Sequence, residues 1–280
     1  MRLASIGGAG RERPGFVSSN GERVLWAHGR SWRDLLEADG IGAEIERART
    51  APQDEWMPVG GERFGPPVPN PSKVIAIGLN YRDHAEEQGK APPERPLLFA
   101  KAPSCLIGPG DPIVLPPQEG KVDAEAELCV VLGRRARNVP AREALGFVLG
   151  YTVFNDVSGR EAQYGDKQWF RGKSYDTFGP CGPWVVTADE VPDPHALPIR
   201  CFWNAARMQE STTGQLIHRV EDLIAYISAQ MTLMPGDLIA TGTPAGVGVF
   251  REPPLFLGAG DRVRVEIDGI GVLENPIIAG

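Results

Sequence analysis

The stretch Lys121-Val122-Asp123-Ala124-Glu125-Ala126-Glu127-Leu128-Cys129-Val130-Val131-Leu132-Gly133 decides how the chain is read. Its second half is rich in valine and leucine and stops at glycine, which marks a strand. Side chains alternate along a strand, so Glu125 and Glu127 share one face while Leu128, Val130 and Leu132 take the other. Two such carboxylates lie about 7 Å apart at Cα and repel unless solvent or a cation sits between them. Two readings stay open here: a solvated edge strand with its acids outward, or oxygen ligands for a hard divalent cation. A second apolar strand, Tyr151-Thr152-Val153-Phe154-Asn155-Asp156, ends on an acid that is either a turn cap or a third ligand.

Around these two strands the chain is punctuated by 34 Gly and 26 Pro with no period, which predicts many turns and short strands. KVIAIGLN (73–80), PLLFAKA (96–102), DPIVLP (111–116), DLIATGT (237–243) and DRVRVEIDGIG (261–271) read as further strands. VEDLIAYISAQM (220–231) is the clearest amphipathic helix, with Leu223, Ile224, Ile227 and Met231 on one side. So few helices disfavour a doubly wound parallel sheet, and the fold class is mainly β with α+β elements. Residues 1–70 alternate short strands with two helical stretches, SWRDLLEADG and IGAEIERART, before the connector PVGGERFGPPVPNPS. This places a small N-terminal α+β domain at 1–70 and a second, larger domain at 71–280.

Composition removes several functions. With 29 Lys+Arg against 36 Asp+Glu the net charge is −7, so neither nucleic acid nor an anionic membrane is an expected partner. No apolar run is long enough to span a membrane, and the N-terminus lacks a signal-peptide core. Cys105, Cys129, Cys181 and Cys201 have no CxxC spacing and read as free thiols in a reducing cytoplasm. Gly172-Lys173-Ser174 lacks the earlier glycine of a phosphate loop, because Lys167 stands there. GVGVFR lacks the third glycine of a dinucleotide fingerprint, so no nucleotide or organic cofactor is expected. Zinc-protease and serine-hydrolase motifs are absent.

Five motifs then recur in order: NYRDHAEE (80–87), DAEAEL (123–128), NDVSGR (155–160), GKSYDTFGPCGPW (172–184) and GDLIATGTPAGVG (236–248). Together, over about residues 71–280, they resemble the fumarylacetoacetate hydrolase family, most closely bacterial members described as ureidoglycolate lyases or 2,4-diketo-3-deoxy-sugar-acid hydrolases. The resemblance implies a mixed β-sandwich roll, a homodimer, and one Mg²⁺ or Mn²⁺ per subunit held by Glu125, Glu127 and Asp156. It assigns Lys173 to the active site, Gln163, Gly242 and Thr243 to substrate binding, and His84 with Glu87 to a dyad on a lid. At i and i+3 of a helix the two share a face, so the carboxylate orients an imidazole suited to general-base work. Asn80 is the expected N-cap of that helix, while His28, His195 and His218 read as structural or surface residues. The stretch Asp166–Phe170 departs from the family pattern and leaves the distal substrate pocket open.

The implied activity is metal-dependent hydrolysis of a carbon–carbon bond in acylpyruvate-like 2,4-diketo acids through a pyruvate enolate. An alternative uses the same metal and enolate for oxaloacetate decarboxylation, tautomerisation, isomerisation or dehydration of a 2-keto acid. A third, of another class, is a non-catalytic ligand-binding protein.

Overall fold

The computed structural model describes residues 1–27, 31–36 and 40–280. His28 and the end of the first expected helix, residues 37–39, lie outside the described residues. The fold is mixed α+β around one large sheet. The strands run in the order Met57–Pro58, Arg23–Trp26, Arg13–Val17, Arg2–Ile6, Gly179–Thr187, Val148–Asn155, Ala126–Leu132, Leu238–Ala240, Val74–Gly78 and Leu97–Lys101. Neighbours are antiparallel except Leu238–Ala240 with Val74–Gly78, which pair parallel. A second, five-stranded sheet runs Ala206–Thr212, Pro198–Trp203, Arg262–Ile267, Gly271–Ala279 and Ile113–Leu115.

The Ala126–Leu132 strand is buried along its whole length, because both faces of the large sheet are covered. Leu128, Val130 and Leu132 join one core with Ile199, Val265 and Leu273 of the second sheet and with Leu223, Ile224 and Ile227 of the helix Val220–Gln230. Cys129 and Val131 point the other way, into a core with Leu3, Phe16, Leu25, Trp32, Leu35 and Ile41 of the leading segment. Strands on both sides of residue 70 therefore pair in one sheet and share one core. Two α-helices among the described residues reach eleven residues, Gly40–Thr50 and Val220–Gln230; the others are six residues or shorter. None is long and apolar enough to cross a membrane.

Candidate active site at the end of the central strands

The register of the two central strands assembles the acids. Ala126 pairs with Asn155, which sets the preceding Glu125 opposite Asp156. The Asp156 N–H donates to the Glu125 carbonyl at 2.9 Å, and the Glu125 N–H donates to Asn155 Oδ1 at 3.1 Å. Glu127 comes from the strand itself, and its Oε2 accepts the Gly242 N–H at 2.9 Å. Gly242 has φ +101°, and a Cβ there would lie 2.8 Å from the Asn80 Cβ, so only glycine brings that N–H to the carboxylate. One ligand atom from each of Glu125, Glu127 and Asp156 lies within 4.8 Å of the others, and all three residues are buried. The solvated-edge reading fails, because Ala126–Leu132 is an interior strand with a partner on each side.

Three buried acids need positive charge, and the sequence reading supplied only part of it. Lys173 Nζ donates to Glu125 Oε2 at 2.8 Å and to Asp156 Oδ2 at 2.6 Å. Lys101, fully buried, donates to Asp156 Oδ1 at 2.7 Å and to the Lys173 carbonyl. Arg160 bridges Glu125 Oε1 at 2.7 Å and Asp123 Oδ2 at 2.6 Å. Lys101, Arg160 and Asp123 were not singled out from sequence. A polar residue inside the apolar strand PLLFAKA was the available signal for Lys101, since a buried lysine requires a partner.

Arg160 and Asp123 cancel, and two lysines face three carboxylates, so the cluster carries one excess negative charge only when all three acids are ionised. The titration behaviour follows. Burial opposes ionisation of Glu125, but Lys173 and Arg160 outweigh it and hold its carboxyl down at about 2. Glu127 has no such ion pair, and burial together with Asp156 and Glu125 pushes its carboxyl well above the usual range. Burial also opposes charging of Lys173, yet Asp156 and Glu125 raise it.

The proposed base stands across a cavity of about 470 Å³ lined by Glu125, Glu127, Lys173 and His84. His84 Nδ1 lies 2.8 Å from Glu87 Oε2, and Glu87 Oε1 accepts the Gly246 N–H at 2.9 Å. This ties the helix Arg82–Glu87 to the glycine-rich turn. Asn80 does not cap that helix; Tyr81 holds the cap position without a side-chain bond. The Asn80 amide instead donates to the His218 and Thr241 carbonyls and accepts the His218 N–H. Thr243 and Gln163 both line the cavity. Thr243 Oγ1 accepts from Gln209 Nε2 at 2.8 Å, and Gln163 Oε1 accepts from Arg160 at 2.8 Å. Gly242 spends its N–H on Glu127, so it supports the acid cluster where a substrate contact was expected. His195 and His218 lie away from the cavity lining.

Leu97, Phe99, Trp169 and Phe250 form the apolar walls, with Phe99 and Trp169 edge-to-face at 5.2 Å. A larger cavity of about 790 Å³ lies among Trp32, Pro69, Pro71 and Met234, and the described residues lining it form no cluster of acids and bases.

The donor set suits a divalent cation. Three carboxylates without histidine or cysteine favour a hard oxygen-seeking ion over zinc, and the excess negative charge of the fully ionised set favours a cation of any kind. Comparison with known proteins agrees. Residues 73–278 match the family model described as fumarylacetoacetate (FAA) hydrolase C-terminal. A Bos taurus protein named oxaloacetate tautomerase FAHD2B, mitochondrial, is 45% identical over 272 residues, covering 94% of this chain and 87% of its own. A fumarylacetoacetate hydrolase from Exiguobacterium antarcticum superposes with a TM-score of 0.87 at 35% identity over 100% of both chains. Maleylpyruvate hydrolase from Sphingobium sp. SYK-6, solved with manganese(II) and pyruvate, superposes with a TM-score of 0.80 at 34% identity, again over 100% of both chains.

Proposed function

The chain belongs to the fumarylacetoacetate hydrolase family, and from that premise we propose that it is a divalent-metal-dependent enzyme catalysing keto–enol tautomerisation of an oxaloacetate-like 2-keto acid. One observation carries this reading: Glu125 and Glu127 of the three-carboxylate cluster line the same cavity as His84, whose imidazole is held by Glu87. Held by Glu125, Glu127 and Asp156, a divalent cation would supply Lewis-acid stabilisation of the negative charge that develops on a 2-keto oxygen. The protein's own groups do the rest. Lys173 and Arg160 bring positive charge beside the substrate carboxylate, and Thr243 and Gln163 offer polar contacts next to it. His84 Nε2 removes a proton from the carbon next to the keto group, and the electron pair shifts to the oxygen. His84 then gives the proton it took to that oxygen, which completes the enol and restores the neutral imidazole, and the reverse direction uses the same groups. Glu87 keeps the imidazole aimed and stabilises its charged form. Leu97, Phe99, Trp169 and Phe250 limit bulk water.

A second reading is hydrolysis of a carbon–carbon bond in an acylpyruvate, in which His84 takes the proton from water instead of from carbon. The similar maleylpyruvate hydrolase supports it. Parallel assays with Mg²⁺ or Mn²⁺ on oxaloacetate tautomerisation and acetylpyruvate hydrolysis separate the two. We expect the tautomerase rate to dominate, and to vanish on chelation and in Glu125→Ala. A full rate after chelation overturns the metal-dependent reading. A homodimer belongs to the same proposal, and light scattering of the purified chain tests it.

A further inference from the structure

The end of the lid helix carries a chain of hydrogen bonds that the reaction above does not use. Gln88 Nε2 lies 2.9 Å from His84 Nε2, and Lys90 Nζ donates to Gln88 Oε1 at 2.7 Å. All three residues line the cavity. The donors and acceptors admit one assignment. Glu87 Oε2 as a carboxylate only accepts, so His84 carries its proton on Nδ1 and leaves Nε2 as a bare lone pair. The Lys90 ammonium only donates, so it selects the amide oxygen of Gln88 and turns the amide nitrogen toward His84. Both ends of the chain thus fix the same tautomer, and the lone pair needed for proton removal is covered by Gln88.

Lys90 is also the odd cation of the cavity. Arg160 is paired with Asp123 and Glu125, and Lys173 with Glu125 and Asp156. Lys90 has no carboxylate partner among the described residues and holds only a neutral amide. A ligand carboxylate competes well for such an exposed ammonium, because a charged acceptor makes a stronger hydrogen bond than a neutral one.

We propose that Gln88 is a latch on His84, set by Lys90, which opens when a carboxylate at the far end of the substrate takes Lys90 over. Once Lys90 leaves Oε1, the Gln88 amide keeps only its single bond to His84 Nε2; its orientation is no longer fixed from both ends, and it turns away to uncover Nε2. The base is then exposed preferentially to 2-keto acids that carry a second carboxylate. This inference rests on His84 being the base of the proposed reaction, with Gln88 and Lys90 as positioning residues.

The test is an imidazole ¹⁵N spectrum of the full, Mg²⁺-loaded chain labelled at histidine. The chain has 4 histidines, and the signal missing in His84→Asn identifies the one in question. The protonated nitrogen is expected to be Nδ1. Gln88→Leu is expected to shift the Nε2 resonance toward that of an uncovered imidazole. Adding 2-oxoglutarate to the wild type should produce the same shift. Adding 2-oxovalerate, with methyl in place of the distal carboxylate, should not. Lys90→Ala should remove the difference between the two ligands, and Lys90→Arg should restore it. An Nε2 resonance unchanged in Gln88→Leu, or equal shifts with both ligands, overturns the latch. The spectrum needs no turnover, so an inactive wild type would remove the proposed reaction and still leave the latch decided by the resonance.

Discussion

At the residue scale, Glu127 and His84 carry the sharpest expectations. Glu127 is buried beside two other acids without a lysine or arginine of its own, so in the metal-free protein its carboxyl holds a proton far above the usual range. A metal ion binds the carboxylate, so loading must expel that proton, whereas Glu125, held at about 2, has none to lose near neutral pH. Apparent metal affinity should therefore rise with pH, by about tenfold per unit for one proton, until the raised Glu127 value is passed. Calorimetry in buffers of different ionisation enthalpy counts the proton directly. The stability sign is the same for the metal-free chain. An acid raised on folding favours the folded state below its unfolded value, and that contribution is lost as pH rises through the folded value. The melting temperature of the metal-free protein should fall across that window, and metal should abolish the fall. For His84, replacement by Gln should lower kcat by about 10²–10⁴ while Mg²⁺ binding persists, since general-base catalysis contributes on that scale. A concurrent loss of metal binding would return His84 to a structural role.

At the element scale, the central strand shows what was legible and what was not. The alternation of Glu125–Leu132 disclosed which acids share a face, and the three-acid cluster then follows from one antiparallel register. The ion pairs around it were hidden, because Lys101 and Arg160 reach the acids from elements far away in sequence. The Asn80 cap failed for the same reason. A side chain able to cap a local helix is instead used between Thr241 and His218, contacts that exist only after the sheet has formed. The bond from the Gly242 N–H to Glu127 was hidden too, because a free N–H in a turn and one bonded to a distant carboxylate look alike in sequence. Lys101 gives the test at this scale. Its ammonium is fully buried and holds the strand end Leu97–Lys101 to Asp156 and to the Lys173 carbonyl. Lys101→Met strands part of a buried charge and should destabilise the metal-free protein by about 3–5 kcal/mol in urea unfolding. Much of that loss should return with bound metal, which supplies Asp156 with another cation.

At the scale of the whole molecule, the sequence suggested a leading unit and a catalytic unit divided near residue 70, and the structure makes the two interdependent. The leading strand Arg2–Ile6 pairs with Gly179–Thr187, the neighbour of the strand that ends at the acids. Leu3, Phe16, Leu25, Trp32 and Leu35 cover Cys129, Val131, Phe154, Cys181 and Val185. Removing residues 1–70 would expose that apolar face and open the edge of Gly179–Thr187 to pairing with other chains. Each large apolar side chain returned to water costs about 1.5–3 kcal/mol, and the face carries several, against a typical total of about 5–15 kcal/mol. Residues 71–280 expressed alone should therefore be aggregated or unfolded by circular dichroism, even though every proposed site residue is retained. Co-expression with residues 1–70 as a separate chain should restore soluble protein, because the missing contacts are a strand pairing and a packed face rather than a covalent link. A soluble 71–280 fragment with a cooperative melt near that of the full chain would show that the catalytic part folds without its cover.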